Sequence, residues 1–210
     1  MTIKVEFLFD FGSPNAYLSH LVIPAIEART GVKFNYVPVL LGGVFKATSN
    51  VSPMVSMQGI RNKPQFAQVE MQRFLKKHRI TAYTRNPFFP VNTLVIMRGA
   101  VFAQTQGYFD RYVDAVYRHM WAQPKKMDDP AVIAAALTES GLPGEAILAG
   151  AALPDIKQRL IANVDDAVAR GVFGSPSFFV GSELYFGKDQ LRDVEEEIER
   201  CKGADPARRR

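Results

Sequence analysis

Residues 3–10 alternate apolar and charged positions as far as Glu6 and then run Phe7-Leu8-Phe9, a pattern that predicts a strand. From Pro14 to Thr30 the spacing changes to that of a helix, with Tyr17, Leu18, Leu21, Val22 and Ile26 as its apolar positions and Gly31 as its stop. Residues 33–39 return to a strand pattern, so the first forty residues predict a βαβ unit and parallel strands. Residues 41–63 carry Gly42-Gly43, Ser49-Asn50, Ser52-Pro53 and Gly59 and predict loops and short turns. From Pro64 to Gly171 the pattern is helical throughout. Phe66, Val69, Phe74 and Leu75 make one apolar stripe there. Asn92 is placed to cap a helix over 93–106, and Phe109 to Trp121 forms another. Asp129-Pro130 opens a helix that Gly141 ends, and Asp155 to Arg170 reads as a long one. Ser177–Val180 and Glu183–Phe186 flank Gly181-Ser182 as a hairpin. Residues 189–201 close the chain with Leu191, Val194 and Ile198 on one helical face.

The order is therefore βαβ, a helical block, then ββα. That is an α/β, thioredoxin-like fold with a large all-helical insertion. The expected division puts residues 1–40 and 172–202 in a discontinuous thioredoxin-like domain and 41–171 in the insertion, with 203–210 as a frayed tail. The seam between first strand and first helix is Gly12-Ser13-Pro14, where serine can cap and proline fits the first turn. Thioredoxin-like folds present their reactive group at this seam, on the positive end of the helix. Here that group is a hydroxyl. It cannot exchange disulfides, but it can donate a hydrogen bond to another molecule's thiolate. Pro176, at the start of an apolar strand, stands where such folds place a cis-proline, whose preceding residue offers its backbone to a bound extended peptide.

Composition narrows the function classes. With 210 residues and 47% hydrophobic content the chain can bury a sizeable core. No apolar run approaches the ~20 residues that cross a bilayer, and the strand pattern begins at once, so the expectation is a cytoplasmic protein with no membrane partner. Cys201 is the single cysteine, and His20, His78 and His119 are scattered, so no metal site is expected. The net charge of +5 owes part to Arg208-Arg209-Arg210, and no basic stripe is interleaved with aromatics, which argues against nucleic acid. A positive balance still favours small anionic ligands.

Several motifs run in one order along nearly the whole chain. They are Phe9-Asp10-Phe11-Gly12-Ser13-Pro14-Asn15-Ala16-Tyr17-Leu18, Leu41-Gly42-Gly43-Val44-Phe45-Lys46, Asn50, Lys63 and Phe89-Pro90-Val91-Asn92-Thr93. Arg170-Gly171-Val172-Phe173-Gly174-Ser175-Pro176 and Phe186-Gly187-Lys188-Asp189-Gln190-Leu191 complete them. Together they resemble the 2-hydroxychromene-2-carboxylate isomerase family, relatives of the kappa-class glutathione transferases within the DsbA-like thioredoxin superfamily. The resemblance implies glutathione as cofactor, with Ser13 as the catalytic residue contacting its sulfur. It implies glutathione contacts from Asn15, Asn50, Lys63, Ser175, Pro176, Lys188 and Asp189, the last pairing with the γ-glutamyl amine. Lys46 would hold a small aromatic carboxylate substrate, with Phe89, Asn92 and Trp121 as further pocket candidates. Homodimers are also implied.

Each assignment has a plainer competitor. Ser13 and Asp189 can also be read as helix caps, Lys63 as an exposed lysine, and Phe89 and Trp121 as core. Ser175 stands where many relatives carry valine, and Ala16 stands where redox relatives carry their second cysteine, which argues against a disulfide oxidoreductase. Two further readings stay open: a kappa-like transferase that consumes glutathione by conjugating electrophiles, and a non-catalytic thiol- or peptide-binding module.

Overall fold

The computed structural model describes residues 3–203. Its sheet has four strands in the order β2-β1-β3-β4: β1 (Val5–Phe9), β2 (Phe34–Pro38), β3 (Ser177–Val180) and β4 (Glu183–Phe186). The expected parallel pair is present, with Val5 opposite Phe34 and Phe9 opposite Pro38. The hairpin is present too, and its β3 runs antiparallel to β1 with Phe7 opposite Phe178. All five residues of β1 are buried because both sheet faces are covered. Val5, Phe7 and Phe9 point into the larger core, while Leu8 points the other way, onto Val39, Val164 and Phe179. Glu6 shares that second face and is buried. Arg170 at 2.6 Å and Lys4 at 2.8 Å neutralise it, and the Arg170 guanidinium lies 3.8 Å from the Phe179 ring centroid.

Helix α1 (Pro14–Thr30) has the predicted bounds. Gly31 ends it at φ +69°, a conformation that glycine adopts without strain. The helical segment contributes Ile96, Met97, Tyr112, Tyr117, Trp121 and Ile133 to the same core as Phe7, Phe9 and Leu18. It contains α4 (Lys63–His78), α5 (Leu94–Gln106), α6 (Phe109–Tyr117), α7 (Pro130–Glu139), α8 (Gly144–Ala151) and α9 (Pro154–Ala169), and α10 (Leu191–Gly203) closes the described chain. None of the described helices is long and apolar enough to cross a membrane.

Four expectations need correction. Residues 41–63 are not all loop: they form α2 (Leu41–Thr48) and α3 (Pro53–Ser56). Gly42 and Gly43 lie inside the first turn of α2 rather than in a loop; Gly43 faces Val164, and the space beside Gly42 is open. The stretch after Pro64 is not helical throughout, since 79–93 is irregular and includes a cis Phe89–Pro90 bond. The stripe on α4 is only partly buried: Phe74 is inside, but Phe66 is 58% and Val69 46% exposed. The helix expected to run from Phe109 to Trp121 is α6 followed by a π-helical turn, Arg118–Ala122. At the end of the chain, Gly203 still belongs to α10, and the frayed tail expected beyond it lies outside the described residues.

Candidate functional site

Ser13 sits where β1 hands the chain to α1. Its backbone is extended (φ −91°, ψ 112°), as an N-cap requires, and Pro14 follows in the first helical turn. The residue is only 5% exposed. Its hydroxyl accepts from the Ala16 N–H at 3.2 Å and donates to the Ser175 carbonyl at 2.9 Å. The cap and the bond to the opposite loop therefore coexist on one oxygen. The first turn of α1 has no acidic residue, and the Asn15 N–H has no acceptor among the described residues, so the positive helix end is uncompensated there.

The Ser175–Pro176 bond is cis, as the motif suggested. Ser175 turns its hydroxyl inward: it accepts from the Asp10 N–H at 3.1 Å and donates to the Leu8 carbonyl at 3.4 Å. The polar side chain at this position thus ties the loop to the end of β1 rather than facing a ligand. Gly174 is pressed against Phe186, whose ring would lie 2.7 Å from any added Cβ. Asn50 reaches the same loop, donating to the Phe173 carbonyl at 2.8 Å. The Gly187 N–H donates to the Pro176 carbonyl at 2.9 Å, which brings the Lys188–Asp189 turn to the far side of the proline. Ser13, Asn50, Ser175 and Pro176 are thereby joined through one loop, whereas the Asp189 carboxylate turns to Lys188.

The lysines differ from one another. Lys46 in the last turn of α2 and Lys63 at the start of α4 are exposed, and neither forms an ion pair among the described residues. Lys188 is 5% exposed. Its ammonium lies 2.7 and 2.8 Å from the Asp189 carboxylate oxygens and 4.7 Å from the Phe74 ring centroid. A cleft of about 470 Å³ between α1, α4 and α10 is lined by Phe74, His78, Lys188, Asp189 and Arg29, and Ser13 is not part of its wall.

The substrate-pocket candidates divide as well. Trp121 is a core residue, 1% exposed, and its indole N–H donates to the Phe11 carbonyl at 2.7 Å, propping the turn that presents Ser13. Phe89 is half-buried against it, with ring centroids 5.9 Å apart. Asn92 accepts from the Leu94 N–H at 3.0 Å, but the helix starts one residue later than expected and its N-cap is Thr93, so Asn92 stands just ahead of the cap. Tyr17, one turn after Ser13, donates to the Ala82 carbonyl, and burial pushes its hydroxyl up to about 12.

Sequence reasoning assigned no role to Asp10, although it is quoted within the first motif. Its buried carboxylate accepts from the Gly12 N–H at 2.8 Å, the Leu41 N–H at 2.7 Å and the Thr93 hydroxyl at 3.1 Å. The available signal was a lone acidic residue ending an apolar strand, three positions before the candidate serine.

A strand-to-helix seam facing a cis-proline loop, inside a four-stranded sheet of this order, defines a thioredoxin-like protein. The sequence matches the DSBA-like thioredoxin domain over residues 4–199, and the chain belongs to that family. It is 25% identical over 197 residues to a 2-hydroxychromene-2-carboxylate isomerase from Sphingobium xenophagum, covering 93% of this chain and 97% of the relative. Identity is 27% over 192 residues to the enzyme of the same name from Pseudomonas putida, with 89% and 90% covered. A solved structure of a 2-hydroxychromene-2-carboxylate isomerase superposes with a TM-score of 0.80 at 24% identity, over 94% of this chain and 95% of that one. A probable DsbA oxidoreductase from Streptomyces coelicolor superposes at 0.71 with 18% identity, over 97% and 91%. The curated relatives carry the isomerase name, and the solved structures share the fold. Ser13, Ala16 and a single cysteine in the sequence leave no pair for dithiol exchange.

Proposed function

We propose that this protein is a glutathione-dependent isomerase of 2-hydroxychromene-2-carboxylate type. The observation that carries the reading is the Ser13 hydroxyl, held at the N-terminus of α1 and hydrogen-bonded to the carbonyl ahead of cis Pro176. A bound cysteinyl thiolate can take the Ser13 O–H as donor, while its own backbone N–H takes over the vacated Ser175 carbonyl. One internal hydrogen bond is exchanged for two intermolecular ones. The Asn15 N–H and the helix dipole add to the attraction for the anion.

Asn50, Lys63 and the Lys188–Asp189 turn would hold the rest of the tripeptide, and Lys46 the substrate carboxylate as a point charge. The hemiketal ring opens as its ring C–O bond breaks, the hydroxyl proton passes to the released phenol oxygen, and a ketone conjugated to the cis double bond results. The thiolate adds to that double bond to give an enolate, and the former double bond rotates as a single bond. Expulsion of the thiolate then restores the alkene in the trans geometry. No electrons are gained or lost overall, and glutathione is regenerated. Support comes also from relatives that carry the isomerase name over most of their length. The test is absorbance-monitored isomerisation of 2-hydroxychromene-2-carboxylate with and without added glutathione. Turnover that requires glutathione is expected. Glutathione binding without turnover would instead favour a binding module, and turnover without glutathione would refute the thiolate mechanism.

A further inference from the structure

Asp10 is a carboxylate whose position in the fold is hard to account for by stability alone. It is 1% exposed, and among the described residues no cation pairs with it. Burial raises its carboxyl above the ordinary aspartate value, against three hydrogen bonds that favour the anion. A lone buried carboxylate costs stability unless donors surround it. Here the donors come from three separate places. The Gly12 N–H belongs to the turn that presents Ser13. The Leu41 N–H is the first of α2, whose own N-cap residue, Leu40, offers no side-chain acceptor. The Thr93 hydroxyl belongs to the N-cap of α5 and is turned away from its own helix toward Asp10. The backbone of Asp10 completes the set by donating to the Ser175 hydroxyl.

We propose that Asp10 is a positioning residue: its carboxylate gathers the starts of α1, α2 and α5, and so fixes Ser13 relative to the helix that carries Lys46. The proposal rests on the thiolate reading of Ser13 given above. The geometry explains the side-chain type. Both oxygens accept, and Oδ2 accepts twice, so an amide in the same shape would set its NH2 against the Leu41 N–H. Gly12 leaves the carboxylate its space, since a Cβ added there would lie 3.2 Å from Oδ1 and 3.1 Å from Thr93 Cγ2. Through α2 the carboxylate also governs Asn50, which follows that helix and holds the Phe173 carbonyl beside the cis-proline loop. No titratable side chain on β1, α1, α2 or α5 shifts Asp10. The buried Tyr117 hydroxyl of α6 is the titratable group that feels its charge.

The test compares the full chain with Asp10→Asn and Thr93→Val. Amide hydrogen exchange is read at Gly12 and Leu41, and kcat/KM is read against pH in the glutathione-supported assay. Asp10→Asn should speed exchange at Leu41, which faces the NH2, more than at Gly12, which keeps an acceptor oxygen, and should lower kcat/KM about tenfold, the scale of one charge-assisted hydrogen bond. It should also remove one of the two protonations from the acid limb, leaving the thiol's own. Thr93→Val keeps the carboxylate and the side-chain shape but deletes one donor, so the acid limb should move to higher pH. Unchanged amide exchange in Asp10→Asn, or acid limbs matching the wild type in both variants, would overturn the proposal. If the wild type shows no glutathione-dependent turnover, the functional reading falls. The exchange rates then decide Asp10 by themselves: faster exchange upholds its hold on the turn and on α2, and unchanged exchange refutes it.

Discussion

Replacing Ser13 by alanine removes one oxygen that makes two bonds, and the consequences for stability and for catalysis can be separated. Loss of the cap on the Ala16 N–H costs about 1 kcal/mol. Loss of the donor to the Ser175 carbonyl costs about 1 kcal/mol more. For a chain of 210 residues each of these corresponds to about 2–4 °C, so Ser13→Ala should melt about 4–8 °C lower. The catalytic effect has a different source. A hydrogen bond to a charged group is worth about 1.5–3 kcal/mol, which predicts a fall in kcat of about ten- to a hundredfold. Ser13→Thr retains the hydroxyl and should recover most of the turnover. The assays are a thermal melt and steady-state kinetics at saturating glutathione. A variant that loses thermal stability but keeps wild-type kcat would refute the reasoning, because Ser13 would then be a helix cap and nothing more.

Three other perturbations probe separate parts of the account. Ser175→Val leaves the carbonyl that faces Ser13 but strips the acceptor from the buried Asp10 N–H. It should destabilise the fold by about 1–3 kcal/mol in denaturant unfolding while glutathione affinity changes little. Lys46→Ala should raise the KM for the aromatic carboxylate about tenfold and leave the glutathione dissociation constant unchanged by calorimetry. Burial pulls the Glu6 carboxyl upward, but hydrogen bonds from Arg170 and Lys4 outweigh it and hold the group below its ordinary value. Its contribution to stability is therefore complete above the unfolded value, about 4.3, and is lost as pH falls through the folded one. Melting temperature should drop less steeply in acid for Glu6→Gln than for the wild type.

The parts of this fold written in local pattern were legible in the sequence. Helix α1 could be bounded because Ser13-Pro14 and Gly31 are chemical start and stop signals, and the closing hairpin because Gly181-Ser182 separates two short apolar runs. The misread parts depend on distant partners. Helix α2 looked like a loop because it opens with two glycines, of which Gly43 packs on Val164, and because its cap is supplied by Asp10, 31 positions earlier. Trp121 could be read as core or as pocket, because nothing in the sequence shows that its N–H meets the Phe11 carbonyl across 110 positions. Lys188 was expected among the glutathione contacts, and the burial of its side chain was not legible because the Phe74 ring beside it belongs to another helix. Among the candidate site residues, Ser13 and Ser175 were visible from motifs, whereas the carboxylate joining their surroundings had no local signal beyond its polarity.

The central claim is that glutathione acts at Ser13 as a nucleophile that is returned after each turnover. The most direct measurement counts free thiol before and after complete isomerisation of excess 2-hydroxychromene-2-carboxylate in the presence of a substoichiometric amount of glutathione. The account predicts full conversion to the trans product with all of the thiol recovered. Loss of one glutathione per product formed would contradict it and assign the chain to conjugation chemistry instead.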